Sequence, residues 1–147
     1  PSHTQGIYPP DLICDHWLDM RWDAPASMQL EIGATPAGQP REQGIIAQQA
    51  HILTPASDVT THYFWATARH HDLDSAETDA FLRTLFAQAF DEEDKPIIKA
   101  AYENLEGADF WAAKPLSLGV DAGGVRARRK IERMLKLESE ARKLETA

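Results

Sequence analysis

Strands in the first half of the chain and helices in the second half predict an α+β protein. Between residues 13 and 69, apolar and polar residues alternate over short segments that are separated by turns containing Pro and Gly. From residue 74 onward, apolar residues instead recur three and four positions apart. Short turns between successive strands imply an antiparallel sheet, and helices that follow the strands are expected to pack on one of its faces.

Four segments have the pattern of a strand. The alternation is clearest in the first, where His16, Leu18, Met20 and Trp22 fall on one side. The fourth is rich in Thr and aromatic residues, which favour strands. A turn around Pro25 is expected after the first strand, and the Pro- and Gly-rich residues 35–44 are expected to form a loop. The predicted strands are Ile13–Trp22, Met28–Gly33, Ile45–Leu53 and Val59–Arg69.

Two helices are predicted in the second half. Asp74 and Glu77 are spaced as in a capping box, with Asp in place of Ser or Thr, and predict the start of the first helix. Pro96 removes one internal hydrogen bond and is expected to kink this helix. The second helix is predicted from Gly124 to Lys143. The apolar stripe of the first helix comprises Phe81, Leu82, Leu85, Phe86 and Ala89, and that of the second Met134, Leu137, Ala141 and Leu144.

Composition narrows the class of protein. The chain has 147 residues, which is the size of one domain, and a net charge of -8, which disfavours a nucleic-acid partner. No apolar run approaches the roughly 18 residues of a membrane span, so we expect no membrane partner. Cys14 is the only cysteine, which excludes an internal disulfide and favours a reducing, cytoplasmic setting.

A cluster of four acids interrupts the apolar pattern of the first helix at Asp91, Glu92, Glu93 and Asp94. On a helical wheel, Asp91 and Glu92 fall away from the apolar stripe, whereas Glu93 and Asp94 face partly inward. An inward carboxylate needs a cation, a metal or several hydrogen-bond donors. Spacing does not choose between these two acids, and a fully solvated cluster is the alternative.

Six histidines are present, but none forms the paired motifs of a metal site on one helix. An iron site with two histidines and one carboxylate needs two imidazoles on the same side of the metal. His51 and His62 lie on adjacent predicted strands. His51 is a candidate for contact with a ligand, with a hydrogen-bonded core histidine as the alternative.

Four stretches in a specific order carry a resemblance to a known family. They are DMRWDAPASMQLEIGATPAG, HILTPASDVTTHYFWATARHHD, EEDKP and DAGGVRARRKIERM. Together they resemble the C-terminal catalytic domain of Rieske non-haem iron oxygenases, in the vanillate O-demethylase and dicamba monooxygenase group. The resemblance implies a helix-grip, START-like fold, in which an antiparallel sheet wraps around a long helix and a C-terminal helix follows.

The resemblance also implies site residues. Asp94, in the EDK motif, corresponds to the carboxylate ligand of a mononuclear Fe(II), and His51, in HILTP, corresponds to a histidine that contacts the substrate. Leu30, Ile32 and Leu85 are the other expected substrate-binding residues. The dicamba monooxygenase branch has asparagine in place of Leu30 and tryptophan in place of Leu85, so a different aromatic substrate is expected.

The implied reaction uses O2 and electrons from a reductase or ferredoxin to oxidise a small aromatic substrate. A methoxybenzoate-like compound is the expected substrate, and hydroxylation of its O-methyl carbon would release formaldehyde. A homotrimer is expected. The alternative function is a metal-free helix-grip module that binds an apolar ligand, and the iron content of the protein would separate the two.

One part of the family pattern is missing from the sequence. The ligands of the 2Fe–2S Rieske cluster and the two iron-binding histidines lie N-terminal to this domain in the family and do not appear here. We therefore expect residues 1–147 to be the C-terminal part of an oxygenase catalytic domain. The Rieske cluster and the two histidines are expected upstream, and this part alone is expected to be inactive.

Overall fold

The computed structural model describes residues 8–145 and confirms the α+β class. Four strands form an antiparallel sheet in which neighbours in sequence are also neighbours in space, in the order β1-β2-β3-β4. This order follows from the short connections that the sequence predicts between strands. The strands are β1 (Cys14–Asp23), β2 (Ser27–Pro36), β3 (Ile45–Pro55) and β4 (Thr61–Arg69).

Helices make up most of the second half of the described chain. A π-helical segment, Gln88–Asp94, follows the first helix directly and leads into the second. The irregular residues 104–118 come before the last helix. The helices are α1 (Ala76–Ala87), α2 (Lys95–Glu103) and α3 (Ala122–Glu145), with short 3-10 turns at Arg41–Gln43 and Gly119–Asp121. None of the helices within residues 8–145 combines the length and apolar character that crossing a bilayer requires.

The chain divides into two compact units. Within the described residues, the first unit comprises 8–16, 33–46 and 69–116, and therefore contains α1, the π-helical segment and α2. The second unit comprises 17–32, 47–68 and 117–145, and therefore contains α3 and the longer parts of β3 and β4. Of the predicted site residues, Leu85 and Asp94 belong to the first unit and Leu30, Ile32 and His51 to the second.

Side-chain hydrogen bonds identify which residues share a face of the sheet in the second unit. Gln48 Nε2 donates to Glu31 Oε2 at 2.7 Å, and Gln29 Nε2 donates to Gln48 Oε1 at 3.2 Å. Trp17 Nε1 donates to the other oxygen of Glu31 at 3.0 Å. These four residues define the Gln48 face. Because successive strand residues point to opposite sides, the adjacent residues Leu30, Ile32, Gln49 and His51 lie together on the other side, the His51 face.

A close backbone approach in the first unit fixes the start of β3. A Cβ atom on Gly44 would lie 2.4 Å from the carbonyl oxygen of Ala34 and 3.0 Å from Cβ of Thr35. Both residues are buried in β2. Only glycine allows the chain to enter β3 at this distance from β2.

The structure corrects the predicted boundaries of two elements. β2 continues to Pro36, so Ala34 and Thr35 pair within the sheet instead of opening the predicted loop. The first helix is capped by Ser75, whose side chain accepts a hydrogen bond from the Thr78 backbone N–H at 3.1 Å, and not by Asp74. A serine hydroxyl one position later in the sequence satisfies the same free backbone donor, so the Asp74 capping box does not form.

The acid cluster agrees with the fully solvated alternative and not with the partly inward positions on the wheel. All four acids are exposed, whereas the wheel placed Glu93 and Asp94 partly inward. The wheel assumes 3.6 residues per turn, but residues 88–94 form a π-helix, in which bonding from i to i+5 changes the rotation per residue. Pro96 lies at the start of α2, and the π-helical segment ends two residues before it.

The apolar stripe of α3 is not part of a core in the described residues. Leu137 is 59% exposed and Leu144 is 81% exposed. Only Val125, Ala127 and Ile131 of this helix are half-buried. The buried apolar residues are Trp17, Ile32, Ala34 and Phe86.

Candidate functional site

His51 lies in β3 and is only 4% exposed. Its Nδ1 is 2.5 Å from the hydroxyl oxygen of Tyr63 in β4, and the tautomer decides which atom donates. The two rings are also stacked, with centroids 5.8 Å apart and planes inclined at 21°. Burial lowers the pKa of His51, so its imidazole is neutral near pH 7. The strands therefore present a neutral histidine in one fixed orientation.

Leu30 and Ile32 lie on the His51 face, as a shared substrate site requires. The Leu53 backbone N–H donates to the Ala26 carbonyl at 2.9 Å. In an antiparallel pair, counting inward from that bond places Met28 opposite His51 and Leu30 opposite Gln49. Ile32 is 7% exposed, and Leu30 is half-buried. The structure thus brings together three of the four predicted substrate-binding residues.

A cavity of about 1000 Å³ borders the same part of the second unit. Met20, Trp22 and Met28 line it from the sheet, and by strand alternation all three side chains lie on the His51 face. Two methionines and a tryptophan suit an apolar or aromatic ligand. The remaining lining residues are Asp23, Ala24, Gly123, Gly124, Arg126, Ala127, Lys130 and Met134.

A second cavity, of about 450 Å³, is formed by β2, β3 and β4. The side chains of Gln29, Gln48 and Ala50 belong to the Gln48 face, which is the side of the sheet opposite His51. Three further residues of that parity, Ile52, Ala66 and Ala68, also border it. Met28, Gln49, His51 and Thr67 of the His51 face border it as well, so this cavity reaches residues of both faces.

Leu85 and Asp94 occupy the helical part of the first unit. Leu85 is half-buried in α1, next to Phe86, whose ring stacks on that of Phe90 with centroids 5.9 Å apart. Asp94 is the last residue of the π-helical segment and is exposed. In the described part of the chain its carboxylate has no hydrogen bond or ion pair.

The other acids of the cluster include two with partners. Asp91 lies 3.8 Å from Nζ of Lys95, and Glu93 accepts a hydrogen bond from Gln88 Nε2 at 3.1 Å. Within residues 8–145, the carboxylates of Glu92 and Asp94 make no such hydrogen bond or ion pair. The Asp94 carboxylate is thus available to bind a ligand.

A metal site that is complete within one chain is not found in residues 8–145. No three His, Cys, Asp or Glu side chains in this range lie close enough together to hold a metal ion. A carboxylate oxygen is a suitable iron ligand, so Asp94 fits as one member of such a site. An iron held by Asp94 would need its other protein ligands from outside the described residues.

Arg69, at the end of β4, is a structurally important residue that the sequence analysis did not single out. Its Nε donates to the His71 carbonyl at 2.9 Å, and its Nη2 donates to the Asp72 carbonyl at 2.5 Å and the Ser75 carbonyl at 3.3 Å. Its Nη1 donates to Asp79. The hydrogen bond and charge of Arg69 lower the pKa of Asp79. Arg69 therefore joins the end of β4 to the start of α1. Its position shortly before the predicted helix cap was the feature of the sequence that could have indicated this role.

Comparison with protein families identifies relatives of most of the chain. The family model described as the vanillate O-demethylase oxygenase C-terminal domain matches residues 1–137. The chain is 36% identical over 124 residues to the oxygenase component of chloroacetanilide N-alkylformylase from Rhizorhabdus wittichii. It is 35% identical over 125 residues to the oxygenase component of dicamba O-demethylase from Stenotrophomonas maltophilia.

Solved structures agree with these sequence relatives. Dicamba monooxygenase bound to 3,6-dichlorosalicylic acid matches with a TM-score of 0.78 and 35% identity, covering 86% of this chain and 37% of that one. A structure of the same enzyme with non-haem iron and dicamba matches with a TM-score of 0.74 and 33% identity, covering 96% of this chain and 44% of that one. The two relatives in sequence are matched over 84% and 85% of this chain, but over only 36% and 37% of their own lengths.

Proposed function

Because the chain belongs to the vanillate O-demethylase oxygenase C-terminal domain family, we propose that it is the C-terminal part of the catalytic domain of a Rieske-type iron monooxygenase. The substrate is a small aromatic compound, and the reaction is O-demethylation of a methoxybenzoate-like molecule. The match to the family model over residues 1–137 carries the proposal.

The His51 face gives this proposal its substrate-binding part. Leu30 and Ile32 offer an apolar surface to an aromatic ring and exclude water from it. His51 is neutral because burial lowers its pKa, and Tyr63 fixes the orientation of its ring. A neutral imidazole in a fixed position can hydrogen bond to a polar substituent of the substrate and orient the ring. Leu85, in α1 of the first unit, is the remaining proposed substrate-binding residue.

Asp94 provides the metal-binding part of the proposal. Its carboxylate is exposed and available, and a carboxylate is one of the three ligands in sites with two histidines. A bound mononuclear Fe(II) would supply activation of O2. Two upstream histidines would complete the ligand set, and an upstream 2Fe–2S Rieske cluster would deliver electrons from a reductase or ferredoxin. Residues 1–147 alone are then inactive, and the complete oxygenase is a homotrimer.

The test of this proposal is the iron content and turnover of the complete oxygenase with Asp94→Ala. We expect iron occupancy and formaldehyde release from a methoxybenzoate to fall by more than about 100-fold, since a direct ligand matters more than the residues that support it. Glu92→Ala is the matched control, because Glu92 is an exposed acid of the same segment and also lacks a hydrogen bond or ion pair among residues 8–145.

The outcome distinguishes three possibilities. Loss of iron in Asp94→Ala but not in Glu92→Ala supports Asp94 as the ligand. Unchanged iron and turnover in Asp94→Ala contradict the assignment, and loss in Glu93→Gln would move it to the neighbouring acid. A wild-type oxygenase that binds an apolar ligand but no iron would contradict the enzyme proposal and favour a binding module.

A further inference from the structure

Two buried polar side chains beside His51 have unused hydrogen-bonding atoms. Gln49 is 3% exposed, and its Nε2 has no hydrogen-bond partner within residues 8–145. Thr67 is half-buried, and its Oγ1 is buried and also lacks a partner there. A buried donor without a partner costs about 1–3 kcal/mol. Two such groups in one place need an explanation, such as a ligand or ordered water.

Strand geometry places these two atoms on the same side of the sheet. Gln49 lies two residues before His51 in β3, so both side chains are on the His51 face. The Ala56 backbone N–H donates to the Thr60 carbonyl at 2.9 Å across the β3–β4 turn. Counting inward from that bond places Gln49 opposite Thr67. Opposite positions are near enough for both side chains to contact one ligand atom.

We propose that Gln49 and Thr67 are specificity-determining residues that donate hydrogen bonds to a carbonyl oxygen of the aromatic substrate. The inference rests on the proposed O-demethylation of a small aromatic substrate. It changes one detail of that substrate, which carries an uncharged carbonyl in place of the carboxylate of a methoxybenzoate. Gln49 Nε2 carries N–H donors, and Thr67 Oγ1 carries an O–H donor. A carbonyl oxygen has two lone pairs and can accept from both.

The charges on this face favour an uncharged acceptor over a carboxylate. Strand positions of the second unit on the His51 face carry no Lys, Arg, Asp or Glu between residues 17 and 68. Burial lowers the pKa of His51, which keeps this neighbour neutral. A buried carboxylate without a cation is costly, whereas an amide or ester carbonyl is not. The cations Arg126 and Lys130 are exposed on α3 and border the cavity near Trp22.

The experiment compares ligand pairs in the complete, iron-loaded oxygenase and in the double variant Gln49→Met with Thr67→Val. Dissociation constants are measured by calorimetry for three ligands: 4-methoxybenzamide, which has an uncharged carbonyl, 4-methoxybenzoate, which has a carboxylate, and 4-methylanisole, which has neither. We expect each lost hydrogen bond to weaken binding of the amide by about threefold to tenfold. Binding of 4-methylanisole should not weaken.

A structural role is separated by stability and by a neighbouring glutamine. Removing buried donors that have no protein partner should leave the thermal unfolding midpoint unchanged or higher. Gln48→Met is the matched control, because Gln48 lies on the opposite face and should not affect any of the dissociation constants. Gln49→Glu with Thr67→Ser is a second variant of nearly the same shape, in which the serine keeps its hydroxyl while the glutamate loses the N–H donors.

Each result bears on the inference. Selective loss of amide binding supports it. An equal change for the amide and 4-methylanisole, no change, or an ordered water that stays between Gln49 and Thr67 when the amide binds overturns it. Selective loss of 4-methoxybenzoate binding instead overturns the assignment to an uncharged carbonyl. Iron content and wild-type turnover of the same preparation report on the proposed function, so failure of one is distinguishable from failure of the other.

Discussion

Two of the proposed ligand-contacting residues, His51 and Asp94, are held in opposite ways. His51 is 4% exposed, lies within a sheet and contacts Tyr63 at 2.5 Å. Asp94 is exposed at the end of a π-helical segment, and its carboxylate has no bond within residues 8–145. The strand residue is oriented by its neighbours, whereas the helical acid is oriented only by the rotation of its helix.

Under the proposed function, this difference separates substrate recognition from metal binding. A side chain fixed by packing and a hydrogen bond can bind a substrate with little loss of conformational freedom. An exposed carboxylate keeps its freedom until a cation orders it. We therefore expect changes near His51 to alter substrate preference and changes in the π-helical segment to alter iron retention.

The strongest test of this comparison is to remove the extra residue of the π-helical segment by deleting Ala89. Deletion of one residue allows i to i+4 bonding through this segment and so removes the π-helical backbone that carries Asp94. We expect loss of iron as large as that in Asp94→Ala, while α1 and α2 remain helical by circular dichroism. Ala89→Ser keeps the length and should retain iron. If the deletion variant still binds iron normally, the π-helical backbone does not position this acid.

A second test concerns the anchor that sets where α1 begins. Arg69→Ala leaves three backbone carbonyls without their charged donor and should lower the free energy of unfolding by about 3 kcal/mol. Urea denaturation of the oxygenase measures this change. Arg83→Ala, an exposed arginine on α1, should cost no more than about 0.5 kcal/mol. Equal costs for the two variants would show that the contacts of Arg69 do not hold the start of the helix.

The smallest expected effect is the pH dependence caused by His51. Its pKa is lowered in the folded state, so below about pH 6.5 the unfolded chain binds a proton that the folded chain resists. The free energy of unfolding should therefore decrease as the pH is lowered below about 6.5, by at most about 1.4 kcal/mol per pH unit for one proton. Denaturation midpoints of His51→Gln should lack this contribution.

His62→Gln, which removes an exposed histidine of β4, is the control for the pH experiment. The two variants should differ in slope between pH 7.5 and pH 5.5. Identical pH profiles for His51→Gln and the wild type would mean that the imidazole is as easily protonated in the folded sheet as in the unfolded chain.

Strands were more predictable from the sequence than the helical acid cluster, for a physical reason. The alternation of side chains depends on a period of two, which stays the same wherever the strand pairs. It placed Leu30 and Ile32 on one side, and the structure agrees. Helical phase depends on every hydrogen bond before the residue, so one π turn made the inward orientation of Asp94 and Glu93 wrong.

The helix cap and the polar pair also escaped prediction. Ser75 and Asp74 are both suitable caps in sequence, and the local path of the chain after Arg69 decides between them. Gln49 and Thr67 look like ordinary polar strand residues until the pairing of β3 with β4 places them opposite each other. That pairing joins residues far apart in sequence, and no local pattern specifies it.

The alternation of Gln48 and Gln49 offers a practical rule for engineering a related catalyst. Gln48 contributes to the hydrogen-bonded network of Glu31 and Gln29, so its substitution would affect expression and folding. Gln49 and His51 are residues that we propose to contact the substrate, so their substitution would affect selectivity. A library that randomises Gln49 and His51 while keeping Gln48 fixed would therefore vary substrate selectivity and retain the hydrogen bonds of Gln48.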